Sequence, residues 1–205
     1  MLLLLLLACD APNAEPKPTQ TCTHALVTDI DETLTTLDSE YAKQIVDPSH
    51  DPEMRPDANT LMHAYADLGY GIFYVTARGD DVSLSDGTPA RDATIDWLTA
   101  HDFPLADDHV FLFDGLTVSG EDTRAYKADV LATLADDGWE FDYGYGNATT
   151  DIEAWQDGGI ADDHIFLVGK LAGEMGVEPV PTEDAYTAHM ATQMPNVSAV
   201  EGCPD

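Results

Sequence analysis

The stretch His24-Ala-Leu-Val-Thr-Asp-Ile-Asp-Glu-Thr-Leu-Thr35 carries the signal on which the rest of the chain depends. Its apolar start, residues 25–27, predicts a short buried strand, and Asp29 and Asp31 follow one residue apart. Alternate residues of a strand point the same way, so the two carboxylates can meet near the strand end. Adjacent anions repel unless a cation lies between them or one is protonated. The stretch therefore predicts Mg²⁺ binding and attack on phosphorus.

Chance is the competing explanation for this pair of aspartates. The chain has 39 Asp and Glu among 205 residues, so Asp-x-Asp pairs will arise without any function. A short motif is a hypothesis until its structural context is found. The apolar strand before Asp29 and three further polar positions downstream favour a site.

Length and composition predict one globular domain that binds no nucleic acid. The chain length suits one domain, and the 44% of hydrophobic residues can fill a core. Eight Lys and Arg against 39 acids give a formal charge of −31. Nucleic-acid binding needs a basic surface, and attraction to anionic membrane needs basic clusters, so both are disfavoured. We expect a monomer.

The amino-terminal segment predicts export and a lipid anchor. Residues 1–8 form an apolar run too short to span a bilayer, which is typical of a signal peptide. Leu6-Leu-Ala-Cys9 resembles a bacterial lipobox, so Cys9 is expected to carry the lipid anchor, although a basic start is missing. A plain apolar start is the alternative. Residues 9–21 are rich in proline and read as a flexible tether, and 22–205 as the catalytic domain, on the periplasmic or cell-surface side of a membrane.

Two cysteines remain at the ends of the predicted domain. Cys22 and Cys203 would pair as a disulfide in an exported protein, since domain termini often lie close together. Two unpaired buried thiols are the alternative.

Strands alternate with helices along the domain. We predict strands at 71–78, 109–113 and 164–168 and another from 141. We predict helices from 58, with Asp57 as its cap, from 88, and at 123–134, 150–156 and 182–194. Loops are predicted at 34–55, beside the site, and at 170–181. Strictly alternating strands and helices favour a parallel sheet covered on both faces. The predicted fold class is therefore α/β.

Three downstream segments can supply groups for phosphate chemistry. Thr76 lies near the end of a buried strand, where open α/β sheets bind ligands. Lys127 lies near the start of a helix and is either a solvated lysine or a cation beside a phosphoryl group. Asn147 and Asp151 flank a glycine turn between strand and helix.

These pieces resemble the motifs of haloacid dehalogenase-like (HAD) hydrolases. Asp29-Ile-Asp-Glu-Thr33 resembles motif I, Thr76 motif II, Lys127 motif III, and Asn147 to Asp151 motif IV. Within that superfamily the strings Tyr74-Val-Thr-Ala-Arg and Gly144-Tyr-Gly-Asn-Ala-Thr-Thr-Asp are similar to the lipin-type phosphatidate phosphatase domain. The resemblance implies a three-layer Rossmann-like fold with a minimal cap.

The resemblance also implies residue roles. Asp29 would be the nucleophile that forms an aspartyl-phosphate, and Asp31 the general acid and base. Thr33 would steady the motif I turn, and Thr76, Ala77 and Lys127 would bind phosphate oxygens. Mg²⁺ would be held by Asp29, Asp31, Asn147 and Asp151. Lipins usually have Gly where this chain has Glu32, and Arg where it has Ala148.

Three functions remain open. The first is a magnesium-dependent phosphatase for phosphatidate or a related lipid phosphate. The second is an exported acid phosphatase for soluble phosphomonoesters. The third is a phosphatidate-binding module, because related lipid-transfer proteins carry a similar domain that has lost a catalytic aspartate. This chain keeps both Asp29 and Asp31, which favours an enzyme.

Overall fold

In the computed structural model, residues 23–116, 118–180 and 186–200 are described. Residues 1–8, the tether at 9–21, Cys9, Cys22 and Cys203 lie outside them. The predicted signal peptide, lipid anchor and disulfide therefore stay predictions.

Within the described residues, six strands form one parallel sheet in the order β3-β2-β1-β4-β5-β6. The strands are β1 (His24–Thr28), β2 (Gly71–Gly79), β3 (Val110–Phe113), β4 (Glu140–Gly146), β5 (Ile165–Leu167) and β6 (Glu178–Pro179). The central strands are buried on both faces, which explains their nearly continuous apolar sequences. The predicted α/β class with a parallel sheet is confirmed.

Helices cover both faces of this sheet. They are α1 (Ser39–Val46), α2 (Ala58–Asp67), α3 (Ala90–Ala100), α4 (Glu121–Asp136), α5 (Thr149–Asp157) and α6 (Thr187–Gln193). One apolar core joins the sheet to α2, α3 and α6, and a second joins it to α4 and α5. None of the helices in the described part of the chain is both long and apolar enough to cross a bilayer.

Two predicted loops contain regular structure. The loop predicted at 34–55 was wrong for α1, whose Glu40 is buried and bonds to Lys43, to His50 and to the Glu53 main chain. The bonds to His50 and Glu53 reach residues beyond the helix, which a local pattern does not reveal, whereas the bond to Lys43 lies within α1. The loop predicted at 170–181 was wrong for β6, a two-residue strand beside β5.

Two predicted helix details also differ. Asp57 precedes α2 as predicted, but its side chain does not cap the helix; its main chain is left-handed, and its carboxylate accepts a bond from Thr187. The helix predicted at 182–194 begins at Thr187 in the described residues.

Candidate active site

The predicted site residues meet at the carboxyl ends of β1, β2 and β4. A cleft of about 440 Å³ opens there, with α1 and the start of α4 forming further walls. The cleft is lined by six of the eight predicted residues, Asp29, Asp31, Ala77, Lys127, Asn147 and Asp151. The other two, Thr33 and Thr76, are buried directly behind it. The structure therefore brings together residues that lie up to 122 positions apart, from Asp29 to Asp151.

Asp29 is the buried carboxylate at the end of β1. Its main-chain N–H donates to the Tyr145 carbonyl at 3.1 Å, which extends the β1–β4 pairing and fixes its position. Its Oδ1 accepts from Lys127 Nζ at 2.7 Å, and its Oδ2 accepts from Thr33 Oγ1 at 3.0 Å. Burial raises the pKa of the Asp29 carboxyl to about 7, although the Lys127 ammonium lowers it.

Lys127 bridges two carboxylates inside the protein. Its Nζ lies 2.7 Å from Asp29 Oδ1 and 2.6 Å from Asp151 Oδ1. Burial alone would lower the pKa of the Lys127 ammonium, but Asp151 and Asp29 outweigh that effect and raise it. Lys127 is therefore a permanent cation of the site, not a solvated surface lysine.

Asp151 uses both of its oxygens within the protein. While Oδ1 holds Lys127, Oδ2 accepts from the main-chain N–H groups of Asn147 and Ala148 at 3.0 Å each. It thus caps the start of α5 and positions Lys127. A side chain at Gly146 would put its Cβ 2.5 Å from the Asp151 Cβ, so this close approach requires glycine.

Arg78 also lines the cleft, although no role was predicted for it from the sequence. It lies at the end of β2 and binds Asp31 with two parallel bonds, Nε to Oδ2 at 2.9 Å and Nη2 to Oδ1 at 2.8 Å. Its Nη1 donates to Thr94 at 3.0 Å, and its guanidinium lies 4.2 Å from the ring centroid of Tyr41 on α1. A signal was available, because Arg78 follows Thr76 by two residues in a chain with only eight basic residues.

Thr76 also faces Asp31. Its hydroxyl donates to Asp31 Oδ2 at 3.3 Å and accepts from the Arg78 main-chain N–H at 3.2 Å. Each of the two aspartates of the opening motif therefore has its own threonine and its own cation: Thr33 and Lys127 for Asp29, Thr76 and Arg78 for Asp31.

Glu32 and Thr33 orient the Asn147 side chain. Asn147 Nδ2 donates to Glu32 Oε2 at 3.2 Å, while its Oδ1 lies 3.3 Å from the Thr33 hydroxyl. The amide oxygen is therefore turned towards the side of the cleft that holds Asp29. Glu32 has a φ of 58°, a left-handed conformation in which glycine would be relaxed. Arg55 supports this turn through bonds to the Glu32 and Thr33 carbonyls at 2.8 and 3.1 Å.

The donor atoms near Asp29 suit magnesium. Asp29 Oδ2 and Asn147 Oδ1 both lie within 3.3 Å of the Thr33 hydroxyl, so a carboxylate and an amide oxygen are neighbours. Mg²⁺ prefers such oxygen ligands and keeps several waters. Asp151 has no unengaged oxygen in this arrangement, so it fits a water-holding position better than direct ligation.

A family model for the domain described as "PITM 1-3, LNS2 domain" matches residues 26–169, the region that contains the cleft and all or most of five of the six strands. The chain belongs to the LNS2 domain family. This family has the HAD-like phosphatase fold of the lipins, so the superfamily and lipin-type resemblance is confirmed.

Curated relatives of this LNS2 domain are much longer proteins. Membrane-associated phosphatidylinositol transfer protein 3 from human and from mouse is 28% identical over 156 residues, which is 76% of this chain and 15% of that protein. Protein retinal degeneration B from Drosophila melanogaster is 26% identical over 156 residues and 11% of its length. The chain thus spans less than a sixth of these relatives.

Solved structures share the fold at low sequence identity. The Pnkp1/Rnl/Hen1 complex matches with a TM-score of 0.50 and 12% identity over 85% of this chain and 50% of that chain. The related RNA repair complex matches with the same score and identity over 84% and 46%. At 12% identity these likenesses concern fold alone.

Proposed function

We propose that this LNS2 domain is a magnesium-dependent phosphatase that hydrolyses phosphate monoesters through an aspartyl-phosphate, with phosphatidate or a related lipid phosphate as substrate. The observation that carries the proposal is the position of Asp29. It lies at the end of β1, 2.7 Å from a buried ammonium, and shares its cleft with a second aspartate. A carboxylate beside a fixed cation is suited to attack an anionic phosphoryl group.

In the first step the substrate phosphate lies against the end of β2 and Lys127. Thr76, Ala77 and Lys127 bind its oxygens, and their fixed dipoles and charge stabilise the negative charge of the transition state. An oxygen of Asp29 bonds to phosphorus, and the bond from phosphorus to the substrate alcohol breaks.

Asp31 acts as the general acid in the first step and as the general base in the second. As a carboxylic acid it protonates the departing alkoxide, and as a carboxylate it takes a proton from the water that then releases phosphate from Asp29. Both Asp31 oxygens are bound to Arg78 in the present structure. One of these bonds must therefore loosen when substrate enters, and Arg78, which also lines the cleft, can then turn to a phosphate oxygen.

Asp29 and Asn147 would hold magnesium, and the Asp31 main-chain carbonyl would be a third protein ligand. When bound, it would neutralise phosphate charge. The chain's own contribution is to hold its ligands: Thr33 and Glu32 fix the Asn147 amide, and Asp151 keeps Lys127 next to Asp29.

A lipid substrate agrees with two independent features. The relatives are named as membrane-associated phosphatidylinositol transfer proteins, and Cys9 lies in a lipobox-like segment that would tether an exported domain to a membrane. The charge of −31 opposes close contact with anionic lipid, so divalent cations would be needed at that surface.

A phosphatidate-binding module is the second candidate. It is favoured by the two hydrogen bonds from Arg78 to Asp31. These bonds occupy both oxygens of the proposed general acid in this conformation. The cleft would then bind phosphate through Lys127 and Arg78 without turnover.

The deciding experiment measures phosphate release from phosphatidate in mixed micelles with Mg²⁺ or EDTA, for wild type, Asp29→Asn and the exposed control Asp67→Asn. We expect magnesium-dependent release that Asp29→Asn abolishes and Asp67→Asn preserves. Phosphate release by Asp29→Asn at the wild-type rate would refute the assignment of Asp29 as the nucleophile. Phosphatidate binding without release would support the binding module, and release only from soluble esters would identify an acid phosphatase.

A further inference from the structure

A second groove lies next to the catalytic cleft, and its walls are mainly apolar. It has a volume of about 660 Å³, within the range of small-ligand sites. The apolar part of its lining consists of Phe111, Phe113, Val118, Ala125, Tyr126 and Val130.

Among the described residues, the edge of the sheet at β3 is incompletely covered, and this leaves the groove. β3 is the edge strand, and Phe111 and Phe113 alternate with Val110 and Leu112, which point into the opposite core. Helix α4 packs over β2 and β4, farther inside the sheet. The phenylalanine face of β3 is therefore left half-buried beside α4.

Groove and cleft adjoin each other. Val118 lines both, and neighbouring turns of α4 supply Thr123 and Lys127 to the cleft and Ala125 and Tyr126 to the groove. Leu116, which lines the cleft just before Val118, is 67% exposed, an unusual position for a leucine beside an anionic site. Apolar side chains, Leu116 and Val118, therefore lie where the cleft meets the groove.

We propose that this groove binds an acyl chain of a phosphatidate-like substrate whose phosphate lies at Asp29 and Lys127. The inference rests on the proposed function and adds a binding site to it. The charged side chains of the groove are both acidic, Asp122 and Asp129, so an anionic occupant would be repelled, and the apolar lining favours an uncharged hydrocarbon chain. Each methylene group withdrawn from water strengthens binding by about fourfold.

The test uses substitutions that change the groove and leave the residues of the cleft unaltered. Ala125→Phe places a ring in the groove from an exposed helix position, and Ala132→Phe makes the same change on an exposed part of α4 outside it. Val130→Thr keeps the shape of the groove but makes it polar. The substrates are dioctanoyl phosphatidate, glycerol 3-phosphate and p-nitrophenyl phosphate, each with Mg²⁺.

We expect wild type to prefer dioctanoyl phosphatidate to glycerol 3-phosphate by more than about tenfold in kcat/KM, since several methylene groups would be buried. Ala125→Phe should lose about tenfold on dioctanoyl phosphatidate and keep p-nitrophenyl phosphate within about twofold, because only the chain meets the new ring. Val130→Thr should lose a few-fold on the lipid alone, and Ala132→Phe should match wild type.

Absence of a chain preference in an active wild type, or equal losses on both substrates in Ala125→Phe, would overturn the acyl site while leaving the phosphatase intact. If wild type hydrolyses none of the three, the proposed function fails instead. The groove is then judged by calorimetric titration with the phosphonate analogue of dioctanoyl phosphatidate. Affinity about tenfold weaker in Ala125→Phe supports the site, and equal affinity or no binding to wild type overturns it.

Discussion

Replacing Lys127 by methionine should destabilise the fold far more than the same change one turn earlier on α4. Lys127 is buried between Asp29 and Asp151, so Lys127→Met leaves two buried carboxylates without their cation. Removing one partner of a buried ion pair costs about 3–5 kcal/mol. Arg124 pairs with Glu121 and Asp157 at the surface, where such pairs contribute about 0–1 kcal/mol, so Arg124→Met is the matched control.

Urea denaturation followed by circular dichroism at constant ionic strength would measure the difference. With a slope of about 2 kcal/mol per molar urea, typical of a small domain, Lys127→Met should lower the midpoint by about 1.5–2.5 M. Arg124→Met should lower it by less than about 0.5 M. The loss at Lys127 would be a large share of the total stability of an ordinary domain, about 5–15 kcal/mol.

The same assay can show that unpaired buried charge causes the loss, because the effect of Asp29→Asn on the free energy of unfolding should change sign when Lys127 is absent. Asp29→Asn should be neutral or destabilising in the wild type, where it removes a partner of Lys127. In the Lys127→Met background it should restore more than about 1 kcal/mol, because it removes one of the uncompensated charges. Equal midpoints for Lys127→Met and Arg124→Met, or an Asp29→Asn change that destabilises both backgrounds alike, would refute the buried triad.

Three other substitutions test separate features of the structure. Arg78→Lys cannot keep both bonds to Asp31, so it should lose about 2–3 kcal/mol in chemical denaturation, against less than about 1 kcal/mol for Arg91→Lys at the surface. Burial lowers the pKa of His189 from 6.5 to about 4, so the folded state favours the neutral imidazole. The contribution of His189 to the free energy of unfolding is therefore complete above pH 6.5 and is lost as the pH falls towards 4. The loss of stability should be about 3 kcal/mol, and His189→Gln should remove that part of the pH dependence. Gly146→Ala would force a Cβ against Asp151 and should cost about 1–3 kcal/mol in the same assay.

The parallel sheet and the meeting of Asp29, Thr76 and Asn147 could be predicted because both follow from short-range patterns, and the resemblance to HAD motifs supplied the other site residues. Buried parallel strands are apolar runs, and their carboxyl ends meet at one edge, which places Asp29, Thr76 and Asn147 together. Neither rule required contacts between distant side chains. The helix α1 and the strand β6 depend on such contacts: Glu40 is buried against His50, and β6 has two residues whose only local signal is a Val-Glu-Pro sequence.

The arrangement of charges inside the cleft could not be predicted for the same reason. The sequence placed Asp29 and Asp31 one residue apart and left open whether one cation would lie between them or one carboxyl would be protonated. In the structure Asp29 pairs with Lys127 on α4, and Asp31 pairs with Arg78 at the end of β2. The two carboxylates therefore have separate cations. The direction of a long basic side chain is set by packing around it, here by Thr94 and Tyr41 around Arg78.

This charge arrangement constrains any function of the cleft. Asp29, Asp31 and Asp151 face two basic side chains, so the formal charge of the group is negative before a phosphate arrives. The raised pKa of Asp29 reflects burial first and then the proximity of Asp151 and Asp31. A phosphate dianion would enter against that charge, so either hydrolysis or simple binding needs an additional cation near Asp29 and Asn147. We therefore expect magnesium to be required for phosphate binding itself, and the choice between enzyme and binding module to depend on whether substrate draws Arg78 away from Asp31.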